Sequence, residues 1–190
     1  MRRISFWHLG VGVSTLTFLA SAWGCGDPFG QKAQFNNTVD TLTLYALRGT
    51  PIRSHSAYDM YTLSTSRTDT TSGYDFAFDI DSTGRALIYP AGALGLSKDA
   101  GLQLMDRTFD AVHSAPETGF ATDTAIVVEQ NNVFVARSRV SGAYCLYVTV
   151  PRYGKFQVLG IDTTARTITL QGLVDLNCGY RSLEPGLPGS

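Results

Sequence analysis

The sequence predicts a mainly β protein: an antiparallel β-sandwich or barrel-like domain with one short helix, preceded by an N-terminal hydrophobic signal or anchor segment. Three observations carry this. Apolar and polar residues alternate with a period of two in several segments. In the second half, strand-like segments recur at spacings of about 8–12 residues, as antiparallel sandwiches and barrels require. Only one stretch has apolar residues spaced as a helical face.

The first strand is "VDTLTLYAL" (39–47), in which apolar positions alternate with Thr or Asp. In "GYDFAFDIDSTGRALIYP", Tyr74, Phe76, Phe78 and Ile80 point one way and Asp75, Ala77 and Asp79 the other. The turn "DSTG" leads into a second strand over 85–89, making a hairpin. "TAIVVEQNNVFVARSRV" reads as two strands about Asn131 and Asn132, residue types that tolerate the left-handed conformation of a tight turn. "AYCLYVTV", "KFQVLGID" and "RTITLQGLVDL" follow as strands, the last two separated by "DTTA". The helical pattern covers 100–113, where Leu102, Met105, Phe109 and Val112 share a face and Pro116 lies just beyond the end. Residues 63–73 and 90–101 read as long loops, rich in Ser and Thr or in Gly.

A chain of 190 residues, 44% hydrophobic and 16% charged, suits one well-buried core. The expected organisation is a signal or anchor segment over 1–24, a linker over 25–38, one β domain over 39–182 and a Pro/Gly-rich tail over 183–190.

The N-terminal segment has the three parts of an export signal: Arg2 and Arg3, an apolar region from Ile4 to Leu19, and small residues at Ala20, Ser21, Ala22 and Gly24. In "SAWGC", Ala22 and Gly24 form a small-residue box ahead of Cys25, and on these residues the segment resembles bacterial lipoprotein precursors. The resemblance implies cleavage after Gly24 and a lipid on Cys25. Two other fates stay open. Cleavage after Ala22 would release a soluble domain, and a retained segment of about 20 residues could span a bilayer as a helix.

Three cysteines are an odd number, and exported proteins rarely leave one unpaired. With Cys25 taken by lipid, Cys145 and Cys178 remain as the expected disulfide pair in an oxidising compartment, against two buried free thiols as the alternative. Their loop of 33 residues predicts a stabilisation of about 3–4 kcal/mol. No C-x-x-C accompanies either cysteine, and no metal site is expected.

Net charge is −1, and residues 1–24 hold two of the 15 basic residues and none of the 16 acidic ones, which leaves the remainder at −3. That balance argues against nucleic acid as a partner. Arg137 and Arg139 fall on one strand face, with Arg152 and Lys155 nearby in sequence, and could meet the phosphates of lipid headgroups; a solvated strand face is the plainer reading.

The catalytic templates each lack a member. Asp79, Asp81, Thr83 and Gly84 open like a calcium loop, but the position that should supply the closing carboxylate is Pro90. Asp75 and Asp79 share a strand face about 13 Å apart, too far for paired-carboxylate glycoside hydrolysis. Asp106, Asp110 and Glu129 could converge only in three dimensions. His55 and His113 are accompanied by neither a G-x-S-x-G elbow nor an S-x-x-K motif. Glycine-rich nucleotide motifs are absent from the sequence, and no cofactor is expected. Tyr58 and Tyr61, with Tyr144, Tyr147, Tyr153 and Tyr180, could form an aromatic platform, while core or rim packing is the simpler role. The sequence therefore points to a membrane-anchored, extracytoplasmic, non-catalytic protein. It would be an accessory subunit docking on a membrane or envelope complex through Tyr58, Tyr61, Arg137, Arg139 or the loops 48–57 and 63–73. A binding module for a small glycan or peptide is the alternative, and a hydrolase the second alternative.

Overall fold

A computed structural model of the chain describes residues 32–143, 145 and 149–189. Cys25 and the signal segment lie outside the described residues, as do Tyr144, Tyr147 and, with them, half of the expected strand "AYCLYVTV".

Ten strands are present among the described residues. β1 (Val39–Tyr45), β6 (Gly101–Met105), β8 (Val133–Arg137), β9 (Tyr153–Asp162) and β10 (Thr167–Asp175) form one sheet in the order β1-β10-β9-β8-β6. β2 (Ala57–Asp59), β3 (Ser64–Ser66), β4 (Phe76–Ile80), β5 (Ala86–Pro90) and β7 (Ile126–Val128) form a second, in the order β3-β2-β4-β5-β7. All neighbours are antiparallel, and the sheets do not close into a barrel.

The alternating strands bury one face of each sheet against the other. Phe76, Phe78 and Ile88 from the second sheet meet Leu44, Phe134, Phe156, Ile168 and Leu170 from the first, all with no exposure. Phe76 packs edge-on to Phe134 and Phe156, and the last two stack at 5.3 Å. Gly172 is opposite Phe156 in the ladder. A Cβ at that glycine would come within 2.7 Å of the Phe156 ring, so a side chain there would displace the aromatic centre of the core.

Loops cover both outer faces. Residues 91–100 pad the second sheet, packing Ala91, Ala100, Leu94 and Leu96 on Ala57, Tyr74 and Ala77. Phe109, Val112, Ala115 and Leu183 pad the first, over Val133, Val135 and Leu173. Under that pad Lys155 is 2% exposed; its Nζ donates to the carbonyls of Phe109 (2.7 Å) and Val112 (3.0 Å) and lies over the Phe109 ring. Burial pushes the Lys155 ammonium pKa below its ordinary value, against the pull of Asp110 and Glu184. Leu183 belongs to this core, and Asn37 pairs with Gly186, so the folded unit extends past both ends of 39–182.

Four sequence expectations change. Residues 100–113 are β6 and a short 3-10 turn (Phe109–Ala111) rather than a helix. Leu102 exchanges two backbone hydrogen bonds with Ala121 (2.9 and 2.8 Å) on one side and pairs with Ala136 on the other, so sheet bonding outweighs the helical spacing. Asn131 adopts the left-handed conformation (φ 69°), but its two strands enter different sheets: β7 pairs with β5, and β8 with β6 and β9. The turn is an arch across the sandwich. The expected loop 63–73 contains β3. Finally, Tyr74 does not share the core face of Phe76, Phe78 and Ile80: it lies before β4, outside the strand's alternation, and packs with Ala77 under the 91–100 pad, while arginines enclose Asp75 and Asp79. No helix among the described residues is long and apolar enough to cross a membrane.

Candidate functional site

Strand directions bring Val39, Tyr153, Asp175, Arg137 and Gly101 to one end of the first sheet. Asp59, Ser64 and Phe76 lie at the corresponding end of the second, as the ion pairs between the sheets show. Most sequence-predicted candidates meet here.

Asp75 precedes β4 and is almost fully buried. It accepts the backbone N–H of Met60 (2.7 Å) and of Arg139 (2.7 Å), and the Arg139 guanidinium lies 3.1 Å away. Arg139 also donates to Asp59 at 3.1 Å, while Asp59 accepts the Tyr61 N–H at 2.8 Å. Burial pushes the Asp75 carboxyl up and Asp59 adds to the push; Arg139 and the two N–H groups pull it back. The Tyr61 ring is stacked between two guanidinium groups, Arg139 at 5.0 Å and Arg152 at 4.8 Å, and its hydroxyl donates to the Arg139 carbonyl at 2.8 Å.

This network closes the end of the sandwich between the sheets. Tyr61 and Arg139 do come together, but in the interior: Tyr61 is 5% exposed and the Arg139 side chain 18%. The Tyr58 ring packs on Phe76 and Phe156, so Tyr58 and Tyr61 form no exposed aromatic platform. Arg137 does not share a face with Arg139. It donates to the Asp99 carbonyl (2.9 Å) and lies over the Phe120 ring at 5.1 Å. Lys155, the fourth base nearby in sequence, is the buried lysine described above.

The disulfide joins Cys145 and Cys178, with Cα atoms 5.7 Å apart, at this same end. Beside it, Asn177 acts as a clamp that sequence reasoning missed. Its Oδ1 accepts the N–H groups of Gln34 (2.7 Å) and Phe35 (2.9 Å), and its Nδ2 donates to the Phe35 carbonyl and to Asp175 (both 2.8 Å). Ala33 N–H donates to the Tyr180 hydroxyl at 3.0 Å, and Asn37 Nδ2 reaches the carbonyls of Ser182 and Glu184. Burial raises the Asp175 carboxyl, which the Asn177 N–H and side chain pull back down. The chain thus enters the domain over the segment 177–186. Asn177 shows no periodicity or motif that could mark it; a polar residue one position before a cysteine is the only signal.

The opposite end has its own acid. Asp79 is fully buried, and Arg48 and Arg166 both pair with it. Arg166 also donates to the carbonyls of Arg48 (2.8 Å) and Ile80 (2.7 Å). Asp81, in the β4–β5 turn, accepts bonds from Thr83 and Arg85. His55 bonds to Thr65, and His113 to Glu184. No cluster of metal-ligating side chains is present among the described residues. Comparison with protein-family models finds no match, and comparison with curated proteins finds none either.

Proposed function

We propose that this protein is exported, anchored to a membrane through a lipid on Cys25, and works as a non-catalytic accessory subunit that docks on a neighbouring envelope protein. Cysteine arithmetic carries the reading. The Cys145–Cys178 disulfide takes two of the three cysteines and leaves Cys25, which directly follows the small-residue box "SAWG". The entry clamp supports it as well. Ala33 is eight positions after Cys25, so a lipid on Cys25 holds Ala33 within about 29 Å. A tether of that length confines the domain to one membrane surface and raises its effective concentration for partners there. The charged groups inside both ends engage one another and the backbone, which favours a structural role for them over a reactive one.

Intact mass of the protein purified from its native membrane tests the anchor. The expected species begins at Cys25 and carries lipid; one beginning at Trp23, or retaining Met1, overturns it. Purification in mild detergent tests the docking: a stoichiometric partner is expected, and a monomer that turns over a substrate would replace this reading with an enzyme.

A further inference from the structure

We propose that the free edge of β1 is a strand-addition site for an extended segment of about five residues from a partner protein, carrying a lysine or arginine opposite Asp40. This rests on the docking reading above and names its surface.

β1 is the edge of its sheet and, among the described residues, pairs only with β10. The directions of its backbone groups follow from the flanking bonds. Ala46 N–H donates to Arg166, on the β10 side (2.8 Å), whereas Tyr45 N–H donates away from β10 to the His55 carbonyl (2.9 Å). Alternation along a strand then aims the N–H and C=O of residues 39, 41, 43 and 45 away from the sheet. Asn37, in the same phase, exchanges two bonds with Gly186 (2.8 and 2.9 Å). The row is therefore covered at both ends, by Gly186 and by His55. Between them, the outward N–H and C=O groups of Val39, Thr41 and Thr43 hold one partner among the described residues: the Asp40 carboxylate, which accepts the Thr41 N–H at 2.7 Å. The covered ends set the length of segment that fits.

The opposite flank is treated differently, since Leu102 on the β6 edge is paired with Ala121. Proteins normally cover, shorten or charge such edges. β1 is seven residues long, and its window carries a single exposed charge, Asp40. Beside the window a groove of about 540 Å³ runs between β1 and β3, with Thr41, Thr43, His55, Leu63 and Thr65 in its walls. Val39 (43% exposed), Leu63 (43%) and Tyr45 (41%) give this flank an apolar rim. A partner strand gains backbone bonds from the edge and packs alternate side chains along that rim.

Charge selects the occupant. Asp40 makes no ion pair among the described residues, and the groove wall holds His55 but no lysine or arginine. A cation on the incoming strand draws the Asp40 carboxylate off the Thr41 N–H, which frees that N–H for the new ladder. A second copy of this chain fits poorly: antiparallel pairing of two β1 strands about Thr41 sets the two Asp40 carboxylates diagonally opposite at roughly 7–8 Å with no cation between them.

The experiment places the photo-crosslinker benzoylphenylalanine at Leu63, on the groove rim, or at Leu104, on the opposite flank, of the full-length chain in its native envelope. The expected result is a crosslink from Leu63 to another protein at a segment containing Lys or Arg, and none to that segment from Leu104. T43P removes an outward N–H together with the surface contact of the Thr43 and Thr169 hydroxyls (3.4 Å), a change edge strands tolerate, and should cut the crosslink about tenfold or more. D40K, a surface charge reversal that leaves the ladder to β10 intact, should do the same. A partner that copurifies as before with both variants leaves docking standing and overturns the edge as its site. No partner with the unaltered chain overturns both readings, and a Leu63 crosslink between two copies of this chain overturns the heterologous occupant.

Discussion

The two ends of the sandwich each bury an aspartate against arginine, but they do so in different ways. At the disulfide end, Asp75 is held by Arg139, whose own side chain is only 18% exposed and is stacked on Tyr61. At the far end, Asp79 is held by Arg48, which is 70% exposed, and by Arg166 at 3.6 Å. A guanidinium enclosed by protein is screened little by water, and its removal strands a charge in the interior. An exposed one can be replaced by solvent. The disulfide end, where the chain also enters through Asn177, is therefore the rigid end, and the far end tolerates more change.

The two ends differ most in the cost of losing their arginines, Arg139→Ala against Arg48→Ala. Arg139→Ala should cost about 3–5 kcal/mol at neutral pH in denaturant unfolding, and Arg48→Ala far less; equal losses would remove the distinction between the ends. The cost at Arg139 should also depend on pH. Without the guanidinium the Asp75 carboxyl, already raised by burial, rises further above its unfolded value. Below pH 3.8, the ordinary value of the carboxyl, Asp75 is protonated in both states and no charge is stranded. As pH climbs through the folded value, the native state must give up a proton it holds more tightly than the unfolded chain does, and stability falls. The deficit of Arg139→Ala should thus shrink on acidification.

Replacing Cys145 and Cys178 together with Ser should lower stability by about 3–4 kcal/mol, from a loop of 33 residues. The loss should loosen the entry clamp, read as faster amide exchange at Gln34 and Phe35 and unchanged exchange in the β4–β5 hairpin. Uniform acceleration across both would show that the two ends unfold as one.

The smallest effect belongs to the far end. Hydrogen bonds from the Thr83 hydroxyl, then the Arg85 side chain, hold the Asp81 carboxyl well below the usual carboxylate range. A group depressed in the folded state contributes stability above its unfolded value, and loses it as pH falls from 3.8 toward the folded value. Asp81→Asn should therefore flatten the acid limb of the stability profile slightly and leave the disulfide end unaltered. An acid limb as steep as that of the unaltered protein would assign it elsewhere.

Much of this architecture is legible in local pattern. Phe76, Phe78 and Ile80 alternate because one face of β4 meets the core, and "DSTG" turns the hairpin as its residue types dictate. The 100–113 segment shows the limit of that reasoning. Its Leu102, Phe109 and Val112 are all buried, as a helical face would require, but in two different cores on either side of a sheet. Spacing reports which residues are buried, not against what.

Local alternation, turn chemistry and a count of cysteines suffice for the class of fold, the β4–β5 hairpin, the β9 and β10 strands and the Cys145–Cys178 pair. Long-range packing alone makes Asn131 arch between sheets, Tyr61 and Arg139 interior and Asn177 a clamp on the entering chain, and leaves the β1 edge open between Gly186 and His55 among the described residues. Those features depend on backbone and charged groups brought together across more than 60 residues of chain in the case of Asp75 and Arg139, and more than 140 in that of Gln34 and Asn177. Contacts at such separations leave no period in the sequence. They are selected by the cost of leaving polar groups enclosed by two packed sheets without a partner.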